Sequence, residues 1–313
     1  MSLPVDKALR KAMNYMKAGE LTKAEEMYKQ VLSKFPKNKK AIQGYRKLKA
    51  GITSKGSSNS EPTQEQVQEL INLYNQGQFE DALAKVKRLI GLFPGEMVLY
   101  NIKGASNTAL SRYEAAVDSY KQALTISSEQ AETYYNMGLA LQCKGDLDAA
   151  IESYKQAVKI KPDYAKAHYN MGIAQKNKGD TDAAIKSYKQ AIEIKPDYAE
   201  AFNNLGNALK DRGDLDTAID SYKQAIKIKP DYAEAYSNMG NALKAKGELD
   251  AAIDSYKYAL QIKPDFAEVF LNMGTTLSEQ GDLDAAIDSY KQAVKIKPDL
   301  AAAYNNMGMA LKD

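Results

Sequence analysis

The chain contains one histidine, His168, and one cysteine, Cys143, so chemistry needing either has a single place to occur. A catalytic thiol needs a base beside it, and a metal site needs clustered ligands. Cys143 has no histidine close in sequence and no CxxC partner. His168 stands where neighbouring units carry an aromatic residue, which marks it as a packed side chain. Paired carboxylates, Asp146 with Asp148, recur as Asp180 with Asp182 and as Asp214 with Asp216. A pair repeated at unit boundaries marks helix starts, where acids accept from free N–H groups and suit the helix dipole. The glycines keep a fixed period and form no phosphate-cradling loop. No catalytic residue, metal or cofactor is expected.

Amides are the remaining polar row. Asn136, Asn170, Asn204, Asn238, Asn272 and Asn306 follow one another every 34 residues. A carboxamide both donates and accepts, so such a row can bond the N–H and C=O of an extended peptide whatever its side chains. Six positions further on stand Lys176, Lys210 and Lys244, in a row that also holds Gln142, Ser278 and Lys312. These lysines would give a groove wall a basic edge. Glu132, Glu200, Glu234 and Glu268, four before the asparagines, are expected to pair with lysines and blunt that field. Each row has a plainer alternative, a position without special role for the asparagines and a solvated face for the charges.

The elements that position these rows are helices. One unit runs from Ala131 to Tyr164, and its marks repeat as Gly138, Gly172, Gly206 and Gly240, as Gly145, Gly179 and Gly213, and as Pro162, Pro196 and Pro230. Tyr134, Met137 and Leu141 form the apolar stripe of a first helix. Gly138 sits inside that helix, where glycine costs about 1 kcal/mol relative to alanine, so a neighbour must approach closely there. Gly145 suits a left-handed helix end. Ala150, Tyr154 and Ala157 give the second helix a small–large–small face, Pro162 stops it, and Asp163 is expected to cap the next helix. Earlier units keep the register with Ser111 and Ser128 in place of glycine and proline.

A large aromatic residue, Leu-Gly or Met-Gly, a mid-unit Ala, an aromatic, Ala and Pro at these offsets resemble the tetratricopeptide repeat. The resemblance implies an all-α, right-handed superhelix, an α-solenoid of helix-turn-helix units whose first helices line a concave surface. It departs from the family pattern mildly: Tyr or Phe replaces Trp, Met commonly replaces Leu, and His168 takes one aromatic place. The asparagine row resembles the ladder in the superhelix of O-linked N-acetylglucosamine transferase. The run Leu99 to Gly104, with the repeated Ile-Lys-Pro-Asp-Tyr-Ala-Glu-Ala, is similar to the N-terminal arrays of bacterial tetratricopeptide proteins that continue into sulfotransferase- or glycosyltransferase-type domains. The arginine of the clamp that grips acidic chaperone tails is not found.

The expected organisation is a basic head at 1–49 (one unit plus an extra helix), a flexible Gly/Ser-rich linker at 50–62, and an array at 63–313 of seven full units and a half unit. Residues 1–60 hold 14 Lys/Arg against 4 Asp/Glu in a chain of net charge +3, so the rest is mildly acidic. No stretch is apolar enough to span a membrane, and no nucleic-acid signature accompanies the lysines. A single cysteine suits a reducing cytoplasm. The partner class is therefore a protein or peptide, held in the concave groove by Asn136 to Asn306 with Lys176, Lys210 and Lys244. Two alternatives stand beside this scaffold: the substrate-docking arm of a larger transferase, and a self-assembling scaffold. The last half unit exposes Tyr304, Met307 and Leu311, so weak self-association through it is expected, and an array ending mid-unit suggests a chain cut from a longer protein.

Overall fold

The computed structural model describes residues 5–17, 20–56 and 61–312, and these contain helices and no strand. A first block comprises α1 (Val5–Lys17), α2 (Leu21–Lys34) and α3 (Lys39–Gly56). The second opens with α4 (Gln64–Asn75), α5 (Phe79–Leu92), α6 (Met97–Ala109) and α7 (Tyr113–Ile126). It continues through α8 (Ala131–Lys144), α9 (Leu147–Ile160), α10 (Ala165–Lys178), α11 (Thr181–Ile194), α12 (Ala199–Arg212) and α13 (Leu215–Ile228). Then come α14 (Ala233–Lys246), α15 (Leu249–Ile262), α16 (Ala267–Gln280), α17 (Leu283–Ile296) and α18 (Ala301–Ala310). Each helix packs on its predecessor within a block, whereas no described helix of the first block packs on one of the second. α3 runs past Lys49 to Gly56, into the segment expected to be linker. Gly19 and residues 57–60 lie outside the described residues.

The mid-helix glycines owe their place to a tyrosine. A Cβ on Gly138 would lie 2.6 Å from the Tyr154 ring, and one on Gly206 would lie 2.5 Å from Tyr222. Those rings are fully buried, as are Ala150 and Ala157 beside Tyr154. The first helix thus lies directly on the aromatic plate of its own second helix, and the volume saved by the glycine is filled by ring. Gly145 closes α8 at φ 90, the left-handed conformation that glycine adopts without a Cβ penalty. Ser111 does the same work at φ 57 between α6 and α7.

At α9 and α11 the two acids that start the second helix have separate tasks, whereas the Asp214 side chain at α13 makes no cap bond. Asp146 accepts from the Ala149 N–H at 3.2 Å, and Asp180 and Asp282 cap in the same way. The second acid reaches the following unit instead: Asp148 pairs with Lys178, Asp182 with Arg212 at 3.0 Å, and Asp216 with Lys246 at 2.7 Å. Asp163 does not cap. Tyr164 holds the N-cap position of α10 without a side-chain cap bond, because Asp163 belongs to the turn after Pro162, where its carbonyl accepts from the Ala165 N–H. The Tyr164 ring packs 5.0 Å from Tyr135 and carries the Lys161 ammonium 5.0 Å over its face. The same lysine-on-ring contact recurs at Lys195 with Tyr198, Lys229 with Tyr232 and Lys263 with Phe266.

Candidate functional site

Curvature identifies the inner face. Successive first helices touch one another, α8 with α10, α10 with α12, α12 with α14, whereas among the described residues no second helix touches the next second helix. The layer of first helices is therefore the compressed, inner one. Residues of a first helix that point away from its second helix line a groove running along the array.

The asparagine row lies in this layer, partly buried, and its amides reach the preceding first helix. Asn170 donates to the Tyr135 hydroxyl at 3.0 Å and Asn204 donates to that of Tyr169 at 3.0 Å. Asn238 donates to the Asn203 Oδ1 at 2.9 Å and Asn272 to the Asn241 Oδ1 at 3.1 Å. Asn306 donates to Thr275 at 3.4 Å. Each bond spends one of the two amide hydrogens. At Asn170 the nitrogen also donates to the Lys166 carbonyl, so there only the acceptor side remains. Asn136 stands at the same position of α8, half-buried. Because Asn170 and Asn204 donate, the hydroxyl hydrogens of Tyr135 and Tyr169 stay available to a ligand. Burial raises the pKa of both phenols, for Tyr169 with help from the Glu200 charge, so both remain protonated donors.

The lysine row is not a bare basic edge. Lys176 pairs with Asp211 at 2.6 Å, Lys210 approaches the same carboxylate at 4.0 Å, and Lys244 pairs with Glu279 at 2.9 Å. Two of the glutamates expected to blunt these lysines pair with others, Glu234 with Lys263 at 3.8 Å and Glu268 with Lys297 at 3.5 Å. A cavity of about 370 Å³ opens where the two rows meet, with Ile173 and Tyr188 as apolar lining and Asn204, Asn207 and the Lys176–Asp211 pair around it.

Two further inner-face positions escape a search for repeated residues. One reads Tyr135, Tyr169, Asn203, Ser237, Leu271, and the other Leu139, Ile173, Asn207, Asn241, Thr275. Their signal in sequence is variation: the core marks repeat, while these change from an apolar pair in α8 and α10 to a polar pair in α12 and α14. The inner layer is accordingly aromatic and aliphatic at one end and carries the half-buried amides Asn207 and Asn241 further along, with Asn203 and Ser237 buried beneath them.

The single histidine and the single cysteine sit in different settings. His168 is half-buried, its Nε2 3.2 Å from the Pro162 carbonyl, and Tyr100 donates to the Pro94 carbonyl from the equivalent position. The histidine Nδ1 is buried without a partner, and burial lowers the ring's pKa. Cys143 is exposed. In the last helix Tyr304 and Leu311 are exposed, but Met307 packs against the Tyr290 cluster, and Met309 is the exposed methionine. The stripe expected at Tyr304, Met307 and Leu311 is corrected accordingly, since residue 307 faces the second helix α17.

A family model described as TPR repeat matches residues 106–142, 143–179, 176–211, 206–247, 240–281 and 274–313. A second, described as tetratricopeptide repeat, matches residues 8–38. No curated protein matches the chain. Among solved structures, MamA is similar at 30% identity over 53% of this chain and 96% of its own, with a TM-score of 0.50. YrrB, described as a TPR protein with an unusual peptide-binding site, is similar at 23% identity over 61% and 98%, TM-score 0.52. The C-terminal part of a TPR repeat-containing protein from Cytophaga hutchinsonii covers 77% of this chain and 99% of its own at 16% identity, TM-score 0.65.

Proposed function

Because the chain belongs to the tetratricopeptide-repeat family, we propose that it is a protein-interaction scaffold whose inner face docks an extended peptide segment of a partner. The observation that carries this reading is the groove itself: amide carbonyls, phenol hydrogens and a cavity aligned on consecutive first helices, with the adjoining lysines partly neutralised by their own acids. YrrB, similar in fold, is described as having a peptide-binding site, which agrees with this use of the architecture.

Magnitudes set what the amides can do. A hydrogen bond of this kind is worth about 0.5–1.5 kcal/mol net, and ordering a peptide costs roughly 2–5 kcal/mol. Micromolar binding needs about 8 kcal/mol. The row alone therefore binds weakly, and the apolar places near Leu139 and Ile173 must add affinity and choose the sequence. The Lys176–Asp211 and Lys244–Glu279 pairs keep the wall from selecting strongly for acidic ligands.

The test is a selection of displayed peptides on the full chain, followed by cross-linking with a photoreactive group placed in a selected peptide. Labelling should fall on α8, α10, α12 or α14. Labelling confined to α9, α11 or α13 would move the site to the outer face. A second reading, weak self-association, is favoured by the exposed Tyr304, Met309 and Leu311. Light scattering of a Tyr304→Lys, Leu311→Lys variant against the parent chain would show a smaller particle if that face is the contact.

A further inference from the structure

The first block carries a separate concave site, and we propose that it receives an acidic peptide segment bearing one bulky apolar side chain. The site originates in a departure from the repeat. In the register of the later units, Lys39 opens a first helix and Gly44 occupies the position that holds asparagine from Asn136 to Asn306. A Cβ at Gly44 would lie 2.6 Å from the Tyr28 phenol, so α3 rests directly on that ring. With no side chain there, a cavity of about 620 Å³ opens between α1 and α3. That volume falls in the range of about 300–1,000 Å³ usual for sites that enclose a ligand.

Its floor is apolar, made by Leu9, Met13, Met16 and the Tyr28 ring. The Tyr28 hydroxyl is turned onto the Met16 sulfur at 3.6 Å, which takes its polar atom out of play. Met13 is 52% exposed, an apolar surface left open to water on the inner side of α1. Methionines are flexible and polarisable, so this floor accepts bulky side chains of varied shape.

The rim is basic. Arg10, Lys40 and Lys47 surround the cavity against one acid, Asp6. Two acids of the neighbouring segment are engaged elsewhere, Glu20 with Lys23 and Glu25 with Lys29, and among the described residues no carboxylate pairs with the three rim cations. This differs from the main groove, where Asp211 and Glu279 answer the lysines. An acidic segment complements the rim, and an apolar anchor covers the floor. A nucleic acid or an anionic membrane would satisfy the cations but leave the methionine floor exposed, so the combination favours a peptide.

The experiment is fluorescence anisotropy on the full chain, with a labelled peptide of glutamates around one central leucine, at low ionic strength. Saturable binding is expected, weakened about tenfold when the peptide's leucine is replaced by serine. Lys40→Glu with Lys47→Glu should weaken it to a similar degree, with helicity unchanged because both residues are exposed. Met13→Ser should weaken the leucine peptide and not the serine peptide. Asn204→Ala should leave this affinity unchanged, which separates the site from the main groove. Equal binding of the leucine and serine peptides, or unchanged affinity in the double charge reversal, would overturn the proposal. So would displacement by duplex DNA or phosphatidylserine vesicles as effective as by unlabelled peptide. Self-association that Lys40→Glu with Lys47→Glu abolishes and that the peptide does not disperse would assign the cavity to a second copy and overturn it as well.

Discussion

At the scale of single residues, identical letters in the repeat can carry opposite energetic signs. Gly206 is pressed on the Tyr222 ring, whereas a Cβ on Gly308 would meet nothing within 4 Å among the described residues. Gly206→Ala should therefore destabilise the array by about 1–3 kcal/mol through overpacking. Gly308→Ala should be neutral or stabilising by up to about 1 kcal/mol, the helix-propensity difference. Urea titrations of the two variants check this pair, and equal destabilisation would mean that the ring contact is not the reason for glycine. His168 gives a pH signature. Burial lowers its folded pKa below the ordinary 6.5, so the unfolded chain takes up a proton first as pH falls. Its contribution to stability is present above pH 6.5 and is lost as pH falls through the folded pKa. His168→Phe, the residue used at Phe202 and Phe270, should remove this part of the acid loss, seen as a smaller drop in Tm between about pH 7.5 and pH 5. An unchanged acid profile would place the loss elsewhere.

At the scale of the element, the period made helix pairs, glycine ends and proline stops legible, because each depends on residues a few positions away. Contacts between units were harder to read. The pairing of Asp148 with Lys178, and the spending of the Asn204 amide on Tyr169, join residues about one repeat apart in sequence and side by side only after stacking. The failed cap at Asp163 has the same origin, since the turn after Pro162 is held by the Tyr164 ring against Tyr135 at the far end of the same unit. The varied inner positions, Tyr135 to Leu271 and Leu139 to Thr275, carry no period, so nothing in the repeat marks them as lying on the inner face. The α6–α7 junction shows the value of a single end residue. Ser111 holds φ 57 where later units use glycine. Left-handed backbone costs a non-glycine residue roughly 1–2 kcal/mol, so Ser111→Gly should stabilise the chain by about 1 kcal/mol in thermal or urea unfolding. Destabilisation would indicate that the serine side chain has a role that outweighs the strain.

At the scale of the whole molecule, stacking makes one inner surface out of many short helices, and the amides that stitch the stack are the same ones that face the groove. Removing an asparagine thus alters stability and recognition together, so its effect on binding must be separated from its effect on the fold. Asn204 and Tyr169 allow that separation. Asn204→Ala and Tyr169→Phe both remove the 3.0 Å bond between α12 and α10, but only the first removes the amide from the groove. The decisive measurement is the affinity of a peptide selected on the full chain for these two variants, alongside their Tm. Both should lose similar stability, about 0.5–1.5 kcal/mol. If the groove docks peptide through its asparagine row, Asn204→Ala should weaken binding several-fold, up to about tenfold, and Tyr169→Phe should weaken it less. Equal affinity for both variants and the parent chain would contradict the account, leaving the asparagines as stitches of the stack and placing peptide recognition elsewhere on the molecule.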